Sequence, residues 1–174
     1  MDRRNFLKLG FWSSATLATV GATATLTGCS ENKPANENLS ALRTDDVIFL
    51  SALIPVITKG AFPTGKEKQE KVDWLISKLD SSIYLAGPDN TKQILQLFDL
   101  LNMRITRFLT TGVWYSWDQA DEKSIEDFLS SWKNSSVELL NVGYRAISLL
   151  IIMNWYGHED NFHLTGYPGA PKLF

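Results

Sequence analysis

The chain has 174 residues, of which 44% are hydrophobic and 21% are charged, and its formal net charge at pH 7 is −2. This composition is typical of a globular protein and excludes a collagen, a disordered tail and a disulfide scaffold. The slightly acidic balance argues against a nucleic-acid partner, because such binding needs clustered Lys and Arg. The single cysteine, Cys29, excludes an intramolecular disulfide and a cysteine-ligated haem or iron–sulfur cluster within this chain.

The first 28 residues have the pattern of an export signal. A basic start precedes a weakly apolar stretch rich in Ala, Thr and Ser, which marks a secretory signal and is too polar for a permanent membrane span. The start also resembles the twin-arginine signal, through Arg3, Arg4, Phe6, Leu7 and Lys8. We expect the twin-arginine translocase to recognise this leader, whose removal makes the remaining chain more acidic because it carries three basic residues and one acidic residue.

The only cysteine of the chain ends this leader. The sequence Leu26-Thr27-Gly28-Cys29 resembles the bacterial lipobox, in which the Cys thiol takes up a diacylglycerol and becomes the new N-terminus. Residues 29–43 are predicted to form a polar tether, since 31–38 is polar, contains a proline and shows no apolar periodicity. We therefore predict a periplasmic protein held to a membrane through lipidated Cys29. Cleavage by the ordinary signal peptidase near the same place is the alternative.

Residues 44–174 predict an all-α domain, a compact bundle of about five helices. Apolar residues recur at helical spacing, and no segment alternates as a strand would. The first helix is apolar nearly all round, which predicts that it is buried. It is expected to start with a cap at Thr44, to kink at Pro55 and to end by Gly60. The later helices are predicted at 67–85, 89–109, 121–133 and 137–155.

The apolar stripes of these helices predict the core. The stripe of the second helix is Val72, Leu75, Ile76, Leu79 and Ile83, and that of the fourth is Ile125, Phe128, Leu129 and Trp132. The third helix has a wide apolar face that includes Ile94, Leu97, Phe98, Leu101, Ile105, Phe108 and Leu109. We expect all of these side chains to point inward.

Aromatic residues in two irregular segments predict a protein interface. Trp114 and Trp117 lie in a short loop after Gly112, and the tail from Gly157 to Phe174 is predicted to be irregular and extended because it holds five Gly and Pro residues. Exposed Trp and Tyr residues commonly anchor protein interfaces. The predicted interface residues are Trp114, Trp117, Tyr156, Tyr167, Pro168 and Gly169. Burial in the chain's own core and a carbohydrate platform are the alternatives, whereas Trp132 is expected in the core.

No pattern in the chain predicts a catalytic, cofactor or metal site. His158 and His163 are five residues apart and follow Gly157, so they cannot form the i, i+4 histidine pair of a metalloprotease helix. The nucleophile elbow, the dinucleotide fingerprint and the phosphate-binding loop are all absent from the sequence. The acidic residues between Asp118 and Asp127 are interpreted as a solvated helix face.

Several motifs, in their order, resemble the small, noncatalytic subunits of bacterial flavin-dependent sugar and polyol dehydrogenases, such as those of glucose, sorbitol and gluconate dehydrogenase complexes. The longest motif is RITRFLTTGVWYSWD, at residues 104–118. It is followed by FLSSWKNS at 128–135, YRA at 144–146, WYG at 155–157 and GYPG at 166–169. The resemblance covers the leader and residues 95–171. It departs from the expected pattern at Ala170, where a proline is expected.

The resemblance implies a role without catalysis. In such complexes the large subunit binds FAD and oxidises the substrate, and a multihaem c-type cytochrome often accepts the electrons. The small subunit carries the twin-arginine signal and escorts the folded large subunit into the periplasm. The resemblance therefore implies a flavoprotein partner, no cofactor in this chain, and export and stabilisation as its function. A free-standing periplasmic lipoprotein that binds a small ligand, or an enzyme in its own right, are the alternatives.

The lipid anchor is tested by the variant Cys29→Ala. The mature protein is expected to move from the membrane fraction to the soluble periplasmic fraction. Each buried CH₂ of an acyl chain contributes about 0.8 kcal/mol, and stable anchoring needs the two chains that a diacylated cysteine supplies. Ser30→Ala is the matched control and should stay in the membrane fraction. Mass spectrometry that finds an unmodified Cys29 on the mature protein contradicts the prediction.

Overall fold

The structure is a computed structural model that describes residues 33–169. This part of the chain forms six α-helices and no strand, so the predicted all-α class is confirmed. The helices are α1 Thr44–Ile57, α2 Glu67–Leu85, α3 Pro88–Asn102, α4 Arg104–Thr111, α5 Glu122–Lys133 and α6 Glu138–Tyr156, with 3₁₀ helices at Trp117–Gln119 and Glu159–Thr165. The predicted export signal and Cys29 lie outside the described residues.

Helix α1 is the centre of the domain. It packs against α2, α3, α5, α6 and the 3₁₀ helix Trp117–Gln119. Phe49, Leu50, Leu53 and Ile54 are fully buried, and the helix continues through Pro55. The prediction of a buried first helix is confirmed. Its all-round apolar composition is explained by neighbours on several sides.

A buried ion network holds the start of α1 against the end of α3. The Arg43 guanidinium donates to both carboxylate oxygens of Asp46, at 2.7 and 3.0 Å, and forms an ion pair with Asp99 at 2.7 Å. The Asn102 amide also donates to Asp46, at 2.9 Å. Burial alone would lower the pKa of Arg43, but the hydrogen bond and charge of Asp46 and the charge of Asp99 raise it above its ordinary value.

The cap of α1 differs from the predicted one. The Asp46 carboxylate accepts the backbone N–H of Arg43 at 2.9 Å, so an acid in the first turn caps the helix instead of the Thr44 hydroxyl. Packing also begins before the predicted boundary at residue 44, because Ala41, Leu42 and Arg43 are buried. The predicted polar tether of 29–43 is therefore corrected at its C-terminal end.

Asp80 of α2 fixes the segment that precedes α1. Its buried carboxylate accepts the backbone N–H groups of Ser40, Ala41 and Leu42 at 2.8, 2.9 and 2.9 Å. These groups have no strand or helix partner of their own, and a buried N–H without a partner is costly. One acidic side chain therefore positions the chain as it enters α1.

The inner faces predicted for the second and fourth helices are confirmed. In α2 the buried stripe is Val72, Leu75, Ile76, Leu79 and Ile83, and in α5 it is Ile125, Phe128, Leu129 and Trp132. The Trp132 ring packs so closely on α6 that a Cβ at Gly143 would lie 2.6 Å from it. None of the helices within residues 33–169 has the length and apolar composition needed to cross a bilayer.

The predicted single helix over 89–109 is wrong. The chain is extended at Met103, with φ −67° and ψ 126°, and α3 and α4 are separate helices on either side of it. The break changes the rotation of the second helix relative to the first. Ile105, Phe108 and Leu109, which were predicted to point inward, are exposed for this reason.

The predicted irregular tail is also corrected. Residues Glu159–Thr165 form a 3₁₀ helix that packs against α6. Asn161 is buried there, and its amide donates to the backbone carbonyl of Trp155 at 2.8 Å. Only the residues after Gly166 are irregular within the described part of the tail.

The role of Asp80 is tested by Asp80→Ala. The loss of one charged acceptor leaves three backbone donors unpaired, so we expect the free energy of unfolding to fall by about 3 kcal/mol. For a domain of this size, that corresponds to a fall in melting temperature of roughly 10 °C. Asp73→Ala, an exposed aspartate on the same helix, should change stability by less than about 0.5 kcal/mol. Equal losses of stability in the two variants would contradict the role described for Asp80.

Candidate functional site

Helix α4 and the loop after it form an exposed apolar surface. We call it the α4 surface and define it by Met103, Ile105, Phe108, Leu109, Trp114 and Tyr115, all of which are exposed. Ile105 is 68% and Leu109 is 75% accessible to solvent. The Phe108 and Trp114 rings meet edge to face at 5.1 Å, and the Arg104 guanidinium lies 4.4 Å from the Trp114 ring. The rings and the cation therefore form one connected surface.

The inner face of α4 is polar, so the helix has its amphipathic pattern reversed. Its buried residues are Arg107 and Thr111, whereas its large apolar residues face solvent. The Thr111 hydroxyl donates to the Arg107 carbonyl at 2.8 Å, and the Thr106 hydroxyl donates to the Leu100 carbonyl at 2.6 Å. A surface helix of a globular protein normally buries its apolar stripe. The apolar face of α4 is therefore available to a second molecule.

Arg107 is a buried cation that forms no ion pair with any carboxylate among residues 33–169. Only 7% of it is exposed, and its guanidinium donates weakly to the carbonyls of Asn102 and Trp114, at 3.3 and 3.4 Å. Its Nε has no hydrogen-bond partner in the described part of the chain. Burial, together with the nearby charge of Arg104, lowers the pKa of Arg107, and the charge of Asp118 offsets this only in part.

The prediction that Trp117 is an interface residue is wrong. It is 2% exposed, and its ring lies between Phe49 and Phe128, with centroids 5.1 and 5.6 Å away. The indole N–H donates to the backbone carbonyl of Leu101 at 2.9 Å, so the polar end of the ring is satisfied inside the core. The 3₁₀ helix that begins at Trp117 turns this side chain inward, whereas Trp114, three residues earlier, faces solvent.

The other predicted interface residues fall into two places. Trp114 is part of the α4 surface. Tyr167 is exposed and packs edge to face on Phe162, 4.9 Å between centroids. Tyr156 and Gly169 are half-buried and Pro168 is exposed, at the end of α6 and in the tail. Their assignment to an interface stays a prediction.

Trp132 is a core residue, as predicted, and it connects two helices. It is almost fully buried, its indole N–H donates to the Thr110 carbonyl at 2.6 Å, and its ring covers Gly143. The C-terminal end of α4 therefore lies close to α6. Helix α6 carries a second exposed apolar stripe, at helical spacing, formed by Leu139, Val142, Leu149 and Met153.

His158 packs against α2. The His158 ring packs edge to face on Trp74, 4.7 Å between centroids, and its Nδ1 accepts the backbone N–H of Asp160 at 3.4 Å. Within residues 33–169, no group of His, Cys, Asp and Glu side chains is arranged to hold a metal ion.

Two acidic residues of α5 share one surface lysine, and a third, Asp127, pairs with Lys123. Glu122 and Glu126 each lie 2.7 Å from the ammonium of Lys59, and these hydrogen bonds raise the pKa of Lys59 above its ordinary value. All three side chains are exposed, so the contribution to stability is small.

A shallow cleft lies between α1, the 3₁₀ helix at Trp117 and the start of α5. Its volume is about 390 Å³, within the usual range for small-molecule sites. Its apolar wall comes mainly from α1, and Lys68, Asp118 and Glu122 are its charged residues. A smaller cavity of about 140 Å³ lies beside Arg107 and is also lined by Asp45, Asn102, Ser116 and Trp117.

No protein-family model, no curated protein and no solved structure matches this chain. The resemblance to dehydrogenase small subunits therefore depends on the sequence motifs alone. The longest of those motifs, residues 104–118, contains most of the α4 surface.

Sequence reasoning missed Ile105, Phe108, Leu109 and Arg107. The three apolar residues continue the helical spacing of Leu101, so periodicity alone assigns them to one inward stripe. The charge pattern carries a separate signal, because residues 100–117 contain two arginines and no acidic residue. Ile105, Phe108 and Leu109 lie within this stretch, which is bounded by Asp99 and Asp118.

The different positions of Trp114 and Trp117 give a direct test. Trp117→Ala removes a buried ring and is expected to lower the free energy of unfolding by about 3–5 kcal/mol. Trp114→Ala is the matched variant and should lower it by less than about 1 kcal/mol, because its ring is 43% exposed. Denaturant unfolding of the full chain measures both. Similar losses of stability in the two variants would be inconsistent with the burial described here.

Proposed function

We propose that this chain is the noncatalytic small subunit of a periplasmic FAD-dependent dehydrogenase complex that oxidises a sugar, a polyol or a sugar acid. It escorts the flavoprotein subunit through twin-arginine export and stabilises it. The observation that carries the proposal is the reversed polarity of α4, which exposes a connected apolar surface on a small helical domain. Soluble monomers rarely expose large apolar patches without a partner.

The composition of the α4 surface is that of the centre of a protein interface. Such centres are enriched in Trp, Tyr, Phe, Met and Arg and are poor in Lys, Glu and Asp. The surface contains Met103, Phe108, Trp114 and Tyr115, and Arg104 lies against the Trp114 ring. Rigid aromatic side chains contribute large contact areas with little loss of conformational freedom on binding.

The division of labour between the subunits follows from the resemblance and the leader. Arg3 and Arg4 would direct the folded complex to the twin-arginine translocase, and lipidated Cys29 would hold it at the membrane. The large subunit would bind FAD and carry out the oxidation, with a multihaem c-type cytochrome as electron acceptor. This chain would supply the contact surface and the export signal, and no step of the reaction.

The proposal is tested by purifying the tagged full chain from its native periplasm and measuring bound flavin by absorbance. The wild-type chain is expected to retain a flavoprotein in a fixed ratio. In the double variant Ile105→Ser, Leu109→Ser, the amount of flavoprotein retained should fall at least about tenfold. Each hot-spot side chain contributes more than about 1 kcal/mol to the free energy of binding. The fold should be kept, since both residues are exposed.

The matched control is Leu85→Ser. Leu85 is 80% exposed and Leu109 is 75% exposed, but Leu85 ends α2 and is not part of the α4 surface. Its flavoprotein content should equal that of the wild type. A wild-type preparation without flavin would overturn the proposed function. Equal losses in control and double variant would show that the α4 surface is not the contact.

The cleft beside α1 supports a second candidate, a free-standing lipoprotein that binds a small ligand. The volume of about 390 Å³ suits a sugar-sized molecule, and Lys68 and Asp118 could orient its hydroxyl groups. Trp117 lines this cleft, so its fluorescence can report binding. Saturable changes on titration of the chain alone with glucose, sorbitol or gluconate would favour this candidate over an escort subunit.

A further inference from the structure

Arg107 is the one buried charged side chain within residues 33–169 that has neither an ion pair nor a hydrogen bond shorter than 3.3 Å. Arg43, Asp46 and Asp80 are also buried. Arg43 and Asp46 neutralise each other, and Asp80 accepts three backbone N–H groups. The Arg107 guanidinium has two long hydrogen bonds to carbonyls, and its Nε has none. A buried charge without a countercharge destabilises a fold, so its presence calls for an explanation outside folding.

The surroundings of Arg107 are suited to an anion. It lines the cavity of about 140 Å³, next to the amide of Asn102 and the hydroxyl of Ser116. Two charges act on its pKa: that of Arg104 is repulsive, and that of Asp118 is attractive although the two side chains form no ion pair. An incoming anion would therefore relieve the repulsion between the two arginines.

The size and charge of the cavity select a carboxylate. The planar guanidinium of arginine matches a carboxylate with two parallel hydrogen bonds. A volume of about 140 Å³ admits the end of an Asp or Glu side chain but not a sugar.

We propose that this cavity receives an aspartate or glutamate side chain of the partner protein that covers the α4 surface. The inference rests on the proposed function and specifies the chemistry of its partner, an apolar segment with one acidic residue. The Arg107 guanidinium donates to the Trp114 carbonyl, so the cavity adjoins the loop that carries the exposed Trp114 ring. The absence of acidic residues from 100–117 makes this region complementary to an acidic segment.

The first experiment compares two buried arginines by thermal unfolding of the full chain. Arg107→Met removes an uncompensated charge and keeps the bulk, so the melting temperature should stay within about 2 °C of the wild type or rise. Arg43→Met is the control and should lower it by roughly 10 °C, because it leaves the buried Asp46 and the half-buried Asp99 without their cation. A comparable fall in Arg107→Met would show that Arg107 serves the fold and would overturn the proposal.

The second experiment measures partner retention, by bound flavin, in the same purification. In Arg107→Met, the amount of flavoprotein retained should fall at least about 30-fold. Truncating one member of a buried charge pair in an interface strongly weakens binding. Arg107→Lys keeps the charge and should retain more partner than Arg107→Met. If Ile105→Ser, Leu109→Ser abolishes retention while Arg107→Met leaves it unchanged, the proposed function stands and the carboxylate site is refuted.

The third experiment separates a partner carboxylate from a free one. The Nε–H resonance of Arg107 is followed by NMR during titration with sodium acetate, with acetamide and sodium chloride as controls. In the isolated chain, acetate should shift the Nε–H resonance until the shift saturates, whereas acetamide and sodium chloride should leave the resonance unchanged. In the complex with the flavoprotein, acetate should have no effect, because the partner's carboxylate fills the cavity. An equal response in the complex would assign the cavity to free small carboxylates and overturn the proposal.

Discussion

The bidentate ion pair between Arg43 and Asp46 is the contact on which the rest of the domain depends. It is fully enclosed, it caps α1, and through Asp99 and Asn102 it holds the last turn of α3 against α1. The helix breaks at the next residue, Met103, and α4 begins in a new orientation. A network at one end of the central helix thus helps to fix where α3 ends. The orientation of α4 after that break decides which face of α4 points toward solvent.

The two buried arginines, Arg43 and Arg107, differ in whether an ion pair neutralises their charge. Arg43 forms ion pairs with Asp46 and Asp99, so the free-energy cost of burying its charge is offset within the domain. Arg107 has no ion pair among the described residues, and burial and the charge of Arg104 destabilise its charged form, which Asp118 offsets only in part. In the proposed complex, this charge and the apolar face of α4 would be parts of a single binding surface.

The helical class, the limits of α2 and the inner faces of α2 and α5 were predictable from the sequence. Each depends on local spacing of apolar residues within one uninterrupted helix, and the stripe from Val72 to Ile83 needs only a neighbour on one side. The patterns that resemble an export signal and a lipobox are equally local, and both stay predictions because they lie outside the described residues. The surface that carries the candidate site was not predictable in the same way. Ile105, Phe108 and Leu109 continue the spacing of the preceding helix, and only the break at Met103 turns them outward.

The sequence by itself determined the fold class, the helical register and the presence of an aromatic loop after Gly112. It could not assign Trp114 and Trp117, which are three residues apart in the same loop and of the same type. The tertiary structure decided that Trp117 enters the core, where Phe49, Phe128 and the Leu101 carbonyl surround it, while Trp114 stays at the surface with Phe108 and Arg104. The physical reason is that burial depends on contacts with α1, α3 and α5, which lie far from the loop in sequence, and periodicity reports only contacts that repeat along one helix.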